Sequence, residues 1–235
     1  MKKRKRSAAG FSLVELLVGT ILFTIVTGIA FSLLMSAQLR YQGESTVTEA
    51  FQQANVALDQ IVRDVHSAGY PPANSFAAAV AFNNPNLVAL PFSWSPGYTN
   101  TPPTPCTVGG SCGAVPGGYD LIVETDLGNG VQWIRYSLVG TTLMRGMAPK
   151  GPFADPVGST SSSPPLAPYL DNVMNGSNSL PIFSYAYDAG ATHWPSNIRE
   201  VNISLMVRSL QPDPQTKQYR TITLTGQAVR FNPNQ

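Results

Sequence analysis

The hydrophobic pattern divides the chain into an apolar N-terminal run, an amphipathic stretch and a series of alternating segments. Residues 10–34 read GFSLVELLVGTILFTIVTGIAFSLL, and Glu15 is the only ionisable side chain between Phe11 and Leu39. A helix needs about 20 apolar residues to cross a bilayer. The run therefore predicts a membrane-spanning helix with one internal carboxylate. A carboxylate in lipid is costly enough to indicate a functional site.

The helix is predicted to continue beyond the apolar run. Apolar residues then recur at spacings of three and four, which places them on one helical face. This stripe consists of Val47, Phe51, Ala54, Leu58, Ile61 and Val65. Gly43 is a candidate kink, and Gly69 followed by two prolines ends the helix. We expect one helix of roughly 55 residues, with residues 11–39 in the membrane and residues 40–69 against a globular domain.

The remaining residues, 70–235, predict an antiparallel β domain with long loops. Gly128-Asn129-Gly130 separates two alternating segments and predicts a hairpin turn. A second hairpin is expected near the C-terminus, and 71–118 and 146–168 read as loops. The predicted strands are residues 87–90, 119–127, 131–139, 141–145, 180–187, 198–207 and 219–231. A long helix packed on antiparallel strands is an α+β fold.

The N-terminal segment carries a family resemblance. Five basic residues lie within positions 2–6, followed by Gly10, Phe11, Glu15 and the unbroken apolar helix. This order resembles the class III signal of type IV pilins and type II secretion pseudopilins. Two alternatives compete with it. An ordinary signal peptide has a shorter apolar core of about 7–15 residues, and a plain membrane anchor leaves Glu15 unexplained.

The resemblance implies how the N-terminus is processed. Prepilin peptidase would remove the leader, residues 1–10, by cutting between Gly10 and Phe11, and would methylate the new Phe11 amine. Glu15 would then pair with the Phe11 ammonium of a neighbouring subunit. The basic flank predicts a single-pass inner-membrane protein with a cytoplasmic N-terminus and a periplasmic domain. After assembly the protein would lie in a pilus or pseudopilus, with the apolar helix in the filament core.

Further stretches resemble the minor pilins called PilW and their secretion counterpart, pseudopilin J. They are residues 63–70, 119–138, 143–145, 181–190, 198–207 and 224–232. The resemblance implies a minor pilin that helps to prime pilus assembly at the tip. Its partners would be other minor and major pilins and the pilus assembly platform. A minor pseudopilin of a type II secretion system is one alternative, and an exported DNA- or surface-binding module on a pilin-like anchor is another.

Charge argues against nucleic acid as a partner. The leader holds five of the 15 Lys and Arg residues and none of the 13 Asp and Glu residues. The net side-chain charge of residues 11–235 is therefore −3. A basic surface for nucleic acid loses its main support.

Two cysteines, Cys106 and Cys112, lie six positions apart. Export would place them in an oxidising compartment, where such a pair forms a disulfide. Free thiols and a metal site are the alternatives, although two thiols without a nearby histidine supply too few metal ligands.

Candidate catalytic residues are few. His66 and His193 are the only histidines, and neither belongs to a metal-binding or catalytic motif. Asp120, Glu124 and Asp126 alternate along one predicted strand, where we expect a solvated face; a calcium site and an acid/base pair are the alternatives. The sequence therefore predicts a structural assembly protein that is not an enzyme and uses no cofactor or metal.

Overall fold

A long helix forms the N-terminal part of the protein. The computed structural model describes residues 12–77, 80, 87–89, 92, 117–150, 165–188 and 198–231. Helix α1 spans Leu13–Ser67, 55 residues, and is unbroken at Gly43, where the sequence suggested a kink. Gly69 ends it with a positive φ of 81°, a conformation that glycine adopts without steric cost. The predicted length and C-terminal end of the helix are confirmed.

Seven strands in the described part of the chain form two antiparallel sheets. The first sheet has the order β1-β2-β3-β4, and the second has the order β5-β6-β7. Their bounds are β1 Asp120–Asp126, β2 Val131–Val139, β3 Thr142–Pro149, β4 Ala167–Leu170, β5 Phe183–Tyr187, β6 Ile198–Arg208 and β7 Thr221–Val229. The predicted α+β class is confirmed.

Both predicted hairpins are present. Asp126 pairs with Val131 across the first turn, and Leu205 pairs with Leu224 in the second hairpin. Two other expectations were wrong. Leu87–Ala89 are not in a strand, although Val88 and Ala89 are buried. Residues 146–168, expected to be a loop, contain the end of β3 and the start of β4.

The C-terminal part of α1 packs on the sheets through small residues. Ala50, Ala54 and Ala57 are buried, together with the predicted Leu58, Ile61 and Val65. Phe51, expected in the core, is 42% exposed. The alanines let the sheet backbone approach the helix closely, so the buried face is centred on them.

Strand β7 runs alongside α1 in the same direction. Pro214, just before β7, lies beside Gly43; Gly226 lies against Leu58; and the Phe231 ring lies 4.6 Å from the His66 ring. The β6–β7 connection is therefore at the end of the domain from which the N-terminal part of the helix emerges.

Candidate functional site: the exposed apolar half of the helix

The N-terminal part of α1 extends away from the domain as an apolar rod. We call residues 13–39 the apolar half and residues 40–67 the packing half. Large apolar side chains throughout the apolar half are exposed in the single chain. By length and composition α1 can cross a membrane, and its most apolar window has no buried residue. Such a surface needs lipid or other protein to cover it.

Glu15 lies in the first turn of α1. The backbone N–H of Ser12, the N-cap residue, donates to Glu15 Oε2 at 3.4 Å. A carboxylate is favoured here because the helix dipole and the free N–H groups present positive charge. The Glu15 carboxylate is therefore exposed at the end of the rod, next to the segment that would carry a processed amine. Gly10 and Phe11 lie outside the described residues.

The packing half is attached to the first sheet by a buried polar cluster around Asp64. The Tyr136 hydroxyl donates to Asp64 Oδ2 at 2.6 Å, and Arg145 Nη2 donates to the same oxygen at 3.0 Å. Gln60 donates to Asp64 Oδ1 at 2.8 Å. Burial, and then the nearby Asp64 carboxylate, raises the pKa of Tyr136, so its hydroxyl keeps the donated proton.

The expected solvated face on β1 is wrong. Glu124 is fully buried: it accepts from Lys150 Nζ at 2.5 Å and from Trp133 Nε1 at 2.9 Å. The Lys150 side chain, 1% exposed, also donates to the Val88 carbonyl at 2.8 Å. Lys150 and the backbone at Val88 therefore cover the face of β1 that the alternation of its acidic residues predicted to be in contact with solvent.

The two other carboxylates of this strand also have protein partners. Asp120 is buried and accepts from Arg135 at 2.7 Å and from Ser137 at 3.1 Å. Burial raises the pKa of Asp120, against the opposing effect of Arg135. Asp126 accepts from backbone N–H groups in the following turn. Within the described residues, no three His, Cys, Asp or Glu side chains are grouped to hold a metal ion.

The other candidate residues are distributed as follows. His66 is half-buried at the end of α1 against Phe231, and among the described residues it belongs to no group of three His, Cys, Asp or Glu side chains. Cys106, Cys112 and His193 lie outside the described residues, so the disulfide remains a prediction.

A contact that sequence reasoning missed holds the helix where the apolar half ends. Gly43 is buried, and a Cβ there would lie 3.4 Å from Pro214 and 3.6 Å from Asp213. Asp213 accepts from the backbone N–H groups of Gln215 and Thr216 and from Arg220 at 2.6 Å. These N–H groups hold the pKa of the Asp213 carboxyl below the ordinary range of an aspartate. The PDP sequence at 212–214 signals a turn but not its contact with the helix.

The exposed rod and Glu15 both belong to a segment that matches a known N-terminal sequence motif. Residues 5–31 match the prokaryotic N-terminal methylation motif. The matched segment contains Gly10, Phe11 and Glu15 and most of the apolar half. It implies a pilin-like or pseudopilin protein that prepilin peptidase processes and that associates with pilins. No curated protein and no solved structure matches the chain.

The motif and the fold support the same coarse assignment. A methylation motif that leads into an exposed apolar helix fits membrane anchoring followed by incorporation into a pilus. It also suggests a structural, non-enzymatic role.

Proposed function

We propose that this chain is a PilW-like minor pilin that takes part in priming and assembly of a type IV pilus, at its tip. The observation that carries the proposal is the methylation motif on residues 5–31, continuous with an exposed apolar rod. The rod can exchange lipid for neighbouring helices without a change in the domain core, because the buried residues of α1 begin at Gly43. The two-sheet domain is large for a main filament subunit, which favours a minor role.

We further propose that Glu15 selects the position of the neighbouring subunit. Among the described residues, its carboxylate accepts one long hydrogen bond, from the Ser12 N–H at 3.4 Å. The methylated Phe11 ammonium of a neighbour is a stronger partner, because both groups carry full charge in an apolar environment. An unpaired charge there is expensive, so the pair can fix the register of packing even where its net stabilisation is small.

Processing is tested first. The full chain is expressed with and without a prepilin peptidase, and its intact mass is measured. We expect loss of residues 1–10 and addition of one methyl group, and we expect Gly10→Leu to block both changes. Retention of the leader on the wild-type chain in the presence of active peptidase would contradict the proposal.

Assembly is tested with Glu15→Ala and a matched control, Glu44→Ala. Both residues are exposed glutamates on α1, but Glu44 lies outside the apolar half. We expect normal cleavage of both variants and loss of Glu15→Ala alone from sheared filaments. Incorporation of Glu15→Ala at the wild-type level would show that Glu15 has another role.

Deletion of the gene distinguishes the pilus from the secretion alternative. We expect loss of surface pili with protein secretion intact. Loss of secretion with normal pili would instead identify a minor pseudopilin.

A further inference from the structure

The sequence contains two Asn-Gly pairs, and the fold places them in opposite environments. Asn129-Gly130 lies in the turn between β1 and β2, and both residues are exposed. Asn175-Gly176 lies between β4 and β5, and Asn175 is fully buried. In such a pair the glycine nitrogen can attack the asparagine amide, because glycine has no Cβ to obstruct the approach. The surroundings of each pair decide whether this reaction occurs.

The Asn175 amide is held by three hydrogen bonds. Its nitrogen donates to the carbonyls of Leu180 at 3.2 Å and Ser204 at 2.8 Å. Its oxygen accepts from the Met206 N–H at 2.7 Å. An asparagine side chain has two N–H donors and one acceptor oxygen, so each of these groups is bonded. Attack on this amide would break the three bonds inside the domain, where an unpaired polar group is costly. The fold therefore protects Asn175.

The Asn129 amide has no such protection. Its side chain is exposed, and no residue in the described ranges forms a hydrogen bond with it. A Cβ placed on Gly128 or Gly130 would have no heavy atom within 4 Å, so the turn is surrounded by open space. Both glycines have a positive φ, of 102° and 88°, which glycine adopts without steric cost. The turn therefore leaves room for a ring to close between Asn129 and Gly130.

The attacking nitrogen also has a base within reach. The Gly130 N–H donates to Asp126 Oδ1 at 3.0 Å, and the Gly128 N–H donates to the same oxygen at 2.7 Å. A backbone nitrogen must lose its proton to attack a carbonyl carbon, and a general base must lie within hydrogen-bond distance, about 2.6–3.2 Å, to take it. Asp126 meets this requirement. Because it is held beside the nucleophile, it acts at a high effective concentration.

We propose that Asn129 is a site of self-catalysed deamidation in which Asp126 is the general base. The Asp126 carboxylate takes the Gly130 N–H proton, and the Gly130 nitrogen forms a bond to Asn129 Cγ. The bond between Cγ and the side-chain nitrogen breaks, and that nitrogen takes the proton and leaves as ammonia. Water then opens the resulting succinimide at either of its two carbonyls, which gives aspartate or isoaspartate at position 129.

The reaction changes the turn beside the C-terminal end of α1. The turn is attached there because the Asp126 N–H donates to the Tyr70 carbonyl at 2.8 Å. Both products add a negative charge near the Asp126 carboxylate, and like charges at close range repel. Isoaspartate also adds a methylene to the backbone next to Gly130, which displaces the N–H that Asp126 binds. The modified turn is therefore held less firmly than the original one.

The two Asn-Gly pairs can be compared within one chain by peptide mass spectrometry. The full chain is kept in detergent at neutral pH, and the mass increase that accompanies conversion of each amide to an acid is followed with time. In the folded protein we expect the amide of Asn129 to be lost and that of Asn175 to be retained. In urea, where both pairs are exposed, they should react at similar rates. Equal rates of amide loss in the folded chain would overturn the proposal.

Asp126→Asn tests the role of the base. The oxygen of the new amide can still accept from both backbone N–H groups, but it does not take up a proton at neutral pH. We expect loss of the Asn129 amide to slow by at least about tenfold, since a positioned base typically contributes more than this to a proton transfer. A substitution that only loosened the turn would not slow the reaction. An unchanged or faster rate would therefore overturn the self-catalysed mechanism.

The pH profile of the reaction provides a readout that a purely structural role of Asp126 would not change. Without a fixed base the rate follows the hydroxide concentration, whereas a carboxylate beside the nucleophile makes it rise less steeply with pH. The ionisable residues described near the turn are Tyr70, Glu124 and Lys150, and the last two are paired with each other. None of them is changed by Asp126→Asn. We expect a shallower profile for the wild type than for the variant, and parallel profiles would overturn the role of Asp126.

Discussion

The Tyr136 hydroxyl and the Asp64 carboxylate are joined by a 2.6 Å hydrogen bond that connects the helix to the first sheet. The two residues are 72 positions apart, and both are buried. Because Arg145 shares the same oxygen, two side chains of the first sheet converge on Asp64.

Replacing Asp64 should therefore weaken the attachment of the helix strongly. We expect Asp64→Ala to lower the free energy of unfolding by about 3–5 kcal/mol, because it leaves Arg145 without its buried partner. Tyr136→Phe should cost about 1.5–3 kcal/mol, the range for a hydrogen bond to a charged group. Urea unfolding of the full chain in detergent, followed by tryptophan fluorescence, measures both. Asp59→Ala, at an exposed position of the same helix, should change little; an equal loss there would show that the effect is not specific to the cluster.

The Glu124–Lys150 pair should respond differently to single and double substitution. Lys150→Met removes the ammonium that pairs with the fully buried Glu124 carboxylate and should cost about 3–5 kcal/mol. Adding Glu124→Gln removes the uncompensated charge, so the double variant should recover part of that loss. The unfolding free energies of the wild type, Lys150→Met, Glu124→Gln and the double variant form a double-mutant cycle. A double variant whose loss equals the sum of the single losses would mean that the two residues do not interact energetically.

Gly226 should not accept a side chain while Leu58 is present. A Cβ at position 226 would lie 2.8 Å from Leu58 Cδ1, closer than packed carbons allow. We expect Gly226→Ala to cost about 1–3 kcal/mol through overpacking. In a Leu58→Ala background the same change should cost clearly less, because the obstructing atoms are gone. An unchanged cost would place the strain in the β7 backbone and not in the helix contact.

Acid should weaken the loop contact at Gly43. Backbone N–H groups lower the pKa of Asp213 in the folded protein below that of a free aspartate. A carboxyl group with a lowered folded pKa binds protons more weakly in the folded than in the unfolded state. Its stabilisation is complete above the unfolded pKa and is lost as the pH falls through the folded one.

The measurement compares wild type with Asp213→Asn across this range. The difference in unfolding free energy should be constant near neutral pH and should shrink as the pH falls towards the lowered folded pKa of Asp213. A difference that stays constant down to the acid limit would show that Asp213 ionisation does not stabilise the fold.

Features that depend on local sequence were predictable. Apolar periodicity and Gly69 predicted the length and C-terminal end of α1, and Gly128-Asn129-Gly130 predicted the hairpin of β1 and β2. In both cases the structure is determined by residues close in the chain. The methylation motif likewise lies within one short segment, residues 5–31.

Features that depend on distant packing were not predictable. Glu124 reads as solvent-facing by alternation, but Lys150 and the segment at Val88 cover that face of the strand. Phe51 fits the helical stripe but is 42% exposed, whereas Ala50 and Ala57, which are outside the predicted stripe, are buried. Strand β4 is a four-residue segment that contains Pro168, and it shows no apolar periodicity. It is defined by its antiparallel pairing with β3. The spacing of apolar residues predicts which side chains are buried only where the opposite face of the element is in contact with solvent.

The parallel course of β7 and α1 has a mechanical consequence. Pro214, Gly226 and Phe231 meet the helix at Gly43, Leu58 and His66, in the same order along both elements. A pull on the apolar half along the helix axis therefore loads these contacts together, in shear, and does not peel them apart one by one. Such a junction resists tension much better than it resists a sideways load. The parallel contacts between α1 and β7 therefore suit a load that is applied through the N-terminal end of the helix.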